Sequence, residues 1–347
     1  MTDSSRPAGR RTSIIATLGP VSESRAVIQE LVAAGMDVVR LSMSNGTRER
    51  HLSTVRLARE AAREQDRTVR FLADLQGRKN RIGRLPGGTE QWDVGDRVVL
   101  TREPGEPAPL RTWMTFPWDP DTTRAGTAIL IDDGAVTLEV VEAGREELRC
   151  DVVEGGVLTN GRGLTIPGVT VFPPGLSERD ADDLKFAVDL GVEMIALSFA
   201  CRPGDAEAVR ALAGDQEVVG KVENQAAAER LPQLAAEFDG LMVARGDLAV
   251  ELPFEEVPFV QRAVLEQCRF AGKTSIVATQ LLHSMRTALR PTRAEVSDVV
   301  AAVVGGADAL MLTGETGYGS HPVHAVQVLR RIIERAEQEK QDEGAGW

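Results

Sequence analysis

Residues 193–222, EMIALSFACRPGDAEAVRALAGDQEVVGKV, hold two short apolar runs at 193–198 and 217–222, with helical spacing at 204–213 between them. The runs are continuous rather than alternating, as expected of parallel strands buried on both faces. The same unit recurs along the chain. Further strands are predicted near 12–17, 36–41, 69–73, 239–243, 274–278 and 308–312. Helical patterns lie at 23–34, 48–65, 178–190, 255–271, 280–286, 292–304 and 322–338, and Ser177 with Asp180 three residues on resembles a capping box. Eight strand–helix units in roughly 250 residues predict an α/β fold of the (β/α)8 TIM barrel type. A doubly wound sheet produces the same alternation.

The interval 82–165 breaks the rhythm. Runs such as GDRVVL and AILIDDGAVTLEVVE, punctuated by turn dipeptides like Asp133-Gly134, predict a small inserted all-β domain, a β-barrel lid. Placed after the third strand, it overhangs the carboxyl ends of the strands. The expected organisation is a loose arm at 1–11, a barrel built from 12–81 and 166–340, and the lid at 82–165.

The 52 acidic and 40 basic residues among 347 give a net charge of -12, which argues against a nucleic-acid surface. The longest apolar run, at 299–312, is interrupted by Gly305, Gly306 and Asp308 and is too short for a membrane span. No secretory pattern opens the sequence, and Cys150, Cys201 and Cys268 lack metal-ligand spacing. Reduced thiols in a cytoplasmic protein are expected.

Catalytic groups of such barrels project from strand carboxyl ends. Polar residues there are Arg40, Asp74, Arg81, Ser198, Lys221, Glu223, Asp247, Thr279 and Thr313. Singly, each reads as a cap, a turn residue or a surface ion pair, but their convergence from six strands does not. Glu223 and Asp247, from neighbouring strands, suit Mg²⁺, which takes one or two protein carboxylates and completes its shell from substrate oxygens. Arg40, Arg81 and Lys221 can neutralise phosphate or carboxylate oxygens. Gly246 and Asp247 open a helix whose amides can meet an anion.

The motifs IIATLGPVSES, AGMDVVRLSMSNG, ILIDDG, GKVENQ, DGLMVARGDLAVELP, IVATQLLHSM, RPTRAEVSDV and ADALMLTGET, in this order from about residue 11 to 338, resemble the pyruvate kinase family. The resemblance implies Mg²⁺-dependent (or Mn²⁺-dependent) phosphoryl transfer between phosphoenolpyruvate and ADP through an enolpyruvate intermediate. By matching position, it implies Glu223 and Asp247 as metal ligands and Lys221 and Arg40 at the phosphoryl group, with Arg81 alongside as catalytic. Thr279 would lie at the enolate face, with Ser198, Gly246 and Asp247 about the substrate. Ser42, Ser44, Asn45 and Arg162 would lie on the nucleotide side.

Departures cluster on that acceptor side. The family usually has Asn, Phe and His where this chain has Ser42, Met43 and Asn45. Asp74, Leu75 and Lys79 mark the monovalent-cation region, and Leu75, Gln76 and Lys79 resemble the potassium-independent subgroup, in which a lysine amine replaces K⁺. Arg78 and Asn80 stand where that subgroup has Pro and Ile. These changes leave room for a paralogue applying the same enolate chemistry to another α-keto acid or acceptor, as a lyase, decarboxylase or biosynthetic enzyme. A non-catalytic ligand-binding protein is a further alternative, opposed by the intact Lys221, Glu223, Asp247 and Thr279. The family's usual carboxyl-terminal regulatory domain has no counterpart here, which implies hyperbolic kinetics and a homodimer through the barrel.

Overall fold

The computed structural model describes residues 10–77, 80–115, 118–119, 121–132, 134–168 and 176–342. Eight parallel strands form a closed barrel: β1 (Ser13–Thr17), β2 (Val38–Ser42), β3 (Arg70–Asp74), β4 (Met194–Leu197), β5 (Glu217–Val222), β6 (Gly240–Ala244), β7 (Thr274–Ala278) and β8 (Ala309–Leu312). Neighbours in sequence are neighbours in space, and β8 returns to β1 with Ala309 opposite Ser13. Closure excludes the doubly wound alternative. Around the barrel run α1 (Arg25–Ala34), α2 (Arg48–Glu64), α3 (Glu178–Asp189), α4 (Asp205–Ala213), α5 (Leu231–Glu237), α6 (Val257–Ala271), α7 (Arg293–Val304) and α8 (Pro322–Asp342).

Local chemistry sets the helix ends. The side chains of Ser24, Thr47, Ser177 and Thr292 each accept the backbone N–H three residues on, satisfying a donor that the helix itself cannot. Only at Thr292–Glu295 is the exchange reciprocal. The box expected at Ser177 is half made, because the Asp180 carboxylate instead accepts from the Ser177 hydroxyl (2.5 Å) and the Gly77 amide (3.0 Å). Two helical expectations change. Residues 280–286 supply only a 3₁₀ turn, His283–Arg286, whereas α5 was not foreseen. Pro232, tolerated in the first turn of α5, separates it from the single turn Gln225–Ala228 and disguises its periodicity.

Apolar side chains pack in two shells. Outward-facing residues meet the helices, and Gly220 allows the Phe238 ring to come within 3.0 Å of where a Cβ would sit. Inward-facing residues, among them Ile15, Val38, Leu72, Met194, Val219, Met242, Ile276 and Ala309, fill the barrel's interior. The expected loose arm is tied down at its end. Arg10 is buried, donating to Gly35 O (2.9 Å) and pairing with Asp37 (2.5 Å), and Glu337 of α8 accepts from the Arg11 and Thr12 amides.

Between β3 and α3, the inserted β-rich segment expected as a lid has its own core, 18 buried residues among those described, including Trp92, Trp118, Val98, Leu138 and Leu148. Among the described residues its strands form a six-stranded sheet and a two-stranded sheet, not the single β-barrel expected. The hairpin pairing Ile131 with Val136 lies where a turn was predicted, although Asp133 itself falls outside the described residues.

Candidate active site

Pleat periodicity explains how the polar groups gather. Strand side chains alternate between faces, so residues two apart share one. Inward-facing Ile15 is therefore followed by Thr17, Val38 by Arg40, Leu72 by Asp74, Ala196 by Ser198, and Val219 by Lys221. One step beyond β5, Glu223 keeps the same face. The barrel interior is thus apolar below and charged at its carboxyl end.

Lys221 is the hub. Its Nζ donates to Ser198 Oγ at 2.8 Å and lies 2.8 Å from Glu223 Oε1 and 3.1 Å from Asp74 Oδ1. The last contact is an ion pair without the alignment of a hydrogen bond. The Ser198 hydroxyl in turn donates to Leu75 O (2.8 Å), and the Phe199 amide donates to Glu223 Oε2 (2.7 Å). On the other side, Asp74 Oδ2 accepts from Arg40 Nε and pairs with Arg40 Nη2, both at 2.7 Å, and Arg40 Nη1 donates to Thr17 Oγ1 (3.1 Å). Asp74, Lys221 and Glu223 are each less than a tenth exposed.

The electrostatics follow from this crowding. Burial alone would depress the Lys221 pKa, but Asp74, Glu223 and Asp247 together outweigh it and hold the ammonium above the ordinary lysine value. Burial would likewise raise Asp74, and Lys221 and Arg40 overcome it, holding that carboxyl below the usual range. Glu223 moves upward, chiefly through burial and also through the negative charge of Asp247, against the pull of Lys221. Two repelling carboxylates suit a hard divalent cation. No group of three or more His, Cys, Asp or Glu side chains among the described residues could hold a metal, so this is not a closed metal cage. Glu223 and Asp247 fit an ion that takes its remaining ligands from substrate and water.

Thr279 follows β7, whose Ile276 and Ala278 face inward. A continued pleat would send Thr279 outward with Val277. Instead its φ is +68° and that of Gln280 +54°, a region disfavoured for residues with a Cβ and especially for a β-branched one. The Thr279 Oγ1 accepts the Gly246 N–H at 2.7 Å. Such backbone costs on the order of 1–3 kcal/mol per residue and persists only where its surroundings impose it. The Gly246 amide, expected to face a substrate anion, is therefore engaged by Thr279.

Other expected residues lie further out. Arg81 donates to Gly161 O (2.9 Å) in the lid, and Arg162 pairs with Asp132 (3.1 Å), also in the lid. Neither hydrogen-bonds to, nor forms an ion pair with, the Lys221 cluster among the described residues. Ser42, Ser44 and Asn45 bond to one another at 3.0–3.2 Å. They stand beside a cavity of about 250 Å³ between the ends of β1, β2 and β8, lined in part by Glu23, Arg40, Arg50, His51, Thr313 and Tyr318. Arg50 makes a two-pronged pair with Glu23 there (2.6–2.7 Å). In the monovalent-cation region Leu75 is buried, and Gln76 Oε1 is buried without a hydrogen-bond partner among the described residues. Arg78 and Lys79 lie outside the described residues.

Thr17, Glu23, Arg50 and Arg245 were not anticipated. Thr17 was within reach, since it ends β1 on the inward face. The Glu23–Arg50 pair joins residues 27 apart and left no local signal.

The family model for the pyruvate kinase barrel domain matches residues 9–326. A pyruvate kinase of Corynebacterium efficiens is 43% identical over 332 residues, 94% of this chain and 70% of that protein. The pyruvate kinase of Mycobacterium intracellulare is 44% identical over 328 residues, 93% of this chain and 70% of its own length. One from Staphylococcus aureus is 39% identical over 334 residues, which make up 94% of this chain and 57% of that protein.

Proposed function

The chain belongs to the pyruvate kinase family of phosphotransferases, and on that footing we propose that it moves the phosphoryl group of phosphoenolpyruvate to ADP, forming pyruvate and ATP. The observation that carries this reading is the Lys221 ammonium, buried and kept protonated by Asp74 and Glu223 at the mouth of the barrel.

The P–O bond to the enol oxygen breaks as the terminal oxygen of ADP bonds to phosphorus, and the enolate left behind takes a proton at C3. Lys221, fixed by three partners, needs no reorganisation to stabilise charge on the phosphoryl group in transit. Arg40, aligned by Asp74 and Thr17, presents its remaining N–H groups to the phosphoryl oxygens. Thr279 Oγ1, which accepts from Gly246, keeps its own proton for the enolate face. Glu223 and Asp247 would hold Mg²⁺, or Mn²⁺ in its place. When bound there, such an ion would supply Lewis acidity to the substrate. Ser198 keeps Lys221 in place, and the lid excludes water when closed.

The test is a coupled assay with Mg²⁺, phosphoenolpyruvate and ADP in potassium-free buffer. Pyruvate formation well above a Lys221→Met control is expected, whereas none above it removes the proposal. Activity without K⁺ is expected from the motif around Leu75 and Lys79, and a strict K⁺ requirement would refute that part alone.

A second reading, a paralogue with another acceptor or α-keto acid, is favoured by one feature. The acceptor-side cavity carries the Glu23–Arg50 pair and the closed Ser42–Ser44–Asn45 network. Solvent deuterium entering C3 of pyruvate with no response to any nucleotide is the outcome that selects it. A homodimer through the barrel is supported by Phe254, 80% exposed on the 3₁₀ turn before α6, and Phe259, 57% exposed in its first turn. Sedimentation at micromolar concentration checks it, with a monomer refuting it.

A further inference from the structure

Arg245 carries the inference. It is 8% exposed, and each of its three guanidinium nitrogens bonds to a protein acceptor. Nε and Nη2 donate to Thr279 O at 3.2 and 2.7 Å. Nη1 bonds both carboxylate oxygens of Asp298 on α7, at 2.6 and 2.7 Å, and lies 3.3 Å from Gln261 Oε1 on α6. These bonds engage Nε, Nη1 and one N–H of Nη2, so the guanidinium is held mainly by protein acceptors. Its principal target is the carbonyl of the residue with the least favourable backbone in the site.

The geometry closes a loop. The next residue after Arg245 is Gly246, whose amide holds Thr279 Oγ1. One dipeptide, Arg245-Gly246, therefore grips Thr279 at both its carbonyl and its hydroxyl. Gly246 also brings the Thr279 side chain close, since a Cβ at that position would lie 3.4 Å from Oγ1. Asp298 and Gln261 anchor the guanidinium from two different helices. With the carbonyl fixed and the hydroxyl drawn to Gly246, the peptide turns out of the β7 pleat and takes the positive φ seen at Thr279. Without that grip, the strand's own alternation directs the hydroxyl away from the barrel mouth.

We propose that Arg245, fixed by Asp298, is a positioning residue that holds Thr279 in its turned conformation and so aims the Thr279 hydroxyl at C3 of the enolate. This rests on the assignment of Thr279 to the enolate face. Arg245 touches no reacting atom and acts only through Thr279.

The test uses the full chain with Mg²⁺ and compares wild type with Arg245→Ala, Arg245→Lys and Asp298→Asn. The first readout is exchange of solvent deuterium into C3 of pyruvate. A displacement of catalytic geometry by about 1 Å costs on the order of 10²-fold, so Arg245→Ala should lose about that in kcat with KM within about twofold. Arg245→Lys should lose less, because an ammonium can still reach the carbonyl but cannot also span Asp298 in a fork. Guanidinium ion added at millimolar concentration should restore part of the Arg245→Ala rate and none of a Thr279→Ala rate. The second readout is amide hydrogen exchange across 279–282, where Arg245→Ala and Asp298→Asn should accelerate exchange.

A merely structural role would lower thermal stability without separating kcat from KM and without rescue. Unchanged kcat in a folded Arg245→Ala or Arg245→Lys enzyme overturns the proposal. Should Arg245→Ala not fold, Arg245→Lys and Asp298→Asn decide by the same split. If wild type exchanges no deuterium, the enolate assignment fails. The exchange protection at 279–282 then still tells whether Arg245 clamps Thr279, and unaltered protection in the variants overturns the clamp itself.

Discussion

Asp74→Asn removes one charge from the centre of the buried network and barely changes its shape. Asp74 is 3% exposed and faces two cations, with Arg40 Nε and Nη2 each at 2.7 Å and Lys221 Nζ at 3.1 Å. After the substitution Lys221 retains Glu223 and Ser198, while Arg40 loses its carboxylate and keeps only neutral acceptors, the new amide oxygen and the Thr17 hydroxyl. Removing one partner from a buried ion network costs about 3–5 kcal/mol, because the charge left behind has lost its water and its counter-ion. Against a typical domain stability of about 5–15 kcal/mol, that is a large fraction. The sign with pH follows from the depressed Asp74 pKa. Its contribution is present above the unfolded carboxyl value of about 3.9 and is lost as pH falls through the lower folded value. The gap between wild type and Asp74→Asn should therefore be full at pH 7 and narrow below about pH 4. Urea unfolding followed by far-UV circular dichroism reads the barrel. Tryptophan fluorescence reads chiefly the lid, because three of the four tryptophans, Trp92, Trp113 and Trp118, lie there. With slopes near ~3 kcal/mol per M, the barrel midpoint should fall by about 1 M or more at pH 7. A midpoint unchanged at pH 7, or a gap that stays constant down to pH 3, would refute the reasoning.

Three further outcomes follow from other parts of the fold. Thr292→Ala breaks the reciprocal cap of α7 and should cost about 0.5–2 kcal/mol, read as a lower urea midpoint with an unchanged slope. Gly77→Ala places a Cβ 2.5 Å from that of Ser198 at a φ of +69°, so it should destabilise by more than about 1 kcal/mol and disturb the Lys221–Ser198 bond. Activity lost together with stability is expected there, and full activity in a stable variant contradicts the packing argument. The Glu251 carboxyl is pushed up to about 7 by burial, with the Asp247 charge adding and a bond from the Gly168 amide opposing. The folded chain thus holds a proton that the unfolded chain has already released above 4.5. Wild type should therefore lose stability as pH rises toward about 7, and Glu251→Gln should lack that slope. Melting temperatures at pH 5 and 8 for both proteins check the difference.

Strand positions were legible because the signal is local: a run of Val, Ile and Leu buried on both faces looks the same wherever it occurs in a barrel. The period of two then carried Arg40, Asp74, Ser198 and Lys221 to the barrel mouth, and Glu223 with them, since inward-facing apolar residues precede them on the same face. What periodicity could not supply was α5, where Pro232 interrupts the pattern, and the end of β7, where the pattern points the wrong way. Position at the end of β7 brought Thr279 into the candidate set, but its place at the enolate face came from family resemblance, against the alternation of its own strand. Its positive φ, the Arg245 and Gly246 grip, and the Asp298 anchor join segments more than thirty residues apart. Likewise the Glu23–Arg50 pair at the cavity beside the ends of β1, β2 and β8 exists only because α2 folds back beside the end of β1. By itself the sequence determined which chemical groups reach the carboxyl ends of the strands, because side-chain alternation is a property of the extended backbone. Only the closed barrel decided which of those groups touch, because contact across it depends on ring closure and on backbone angles that distant residues impose.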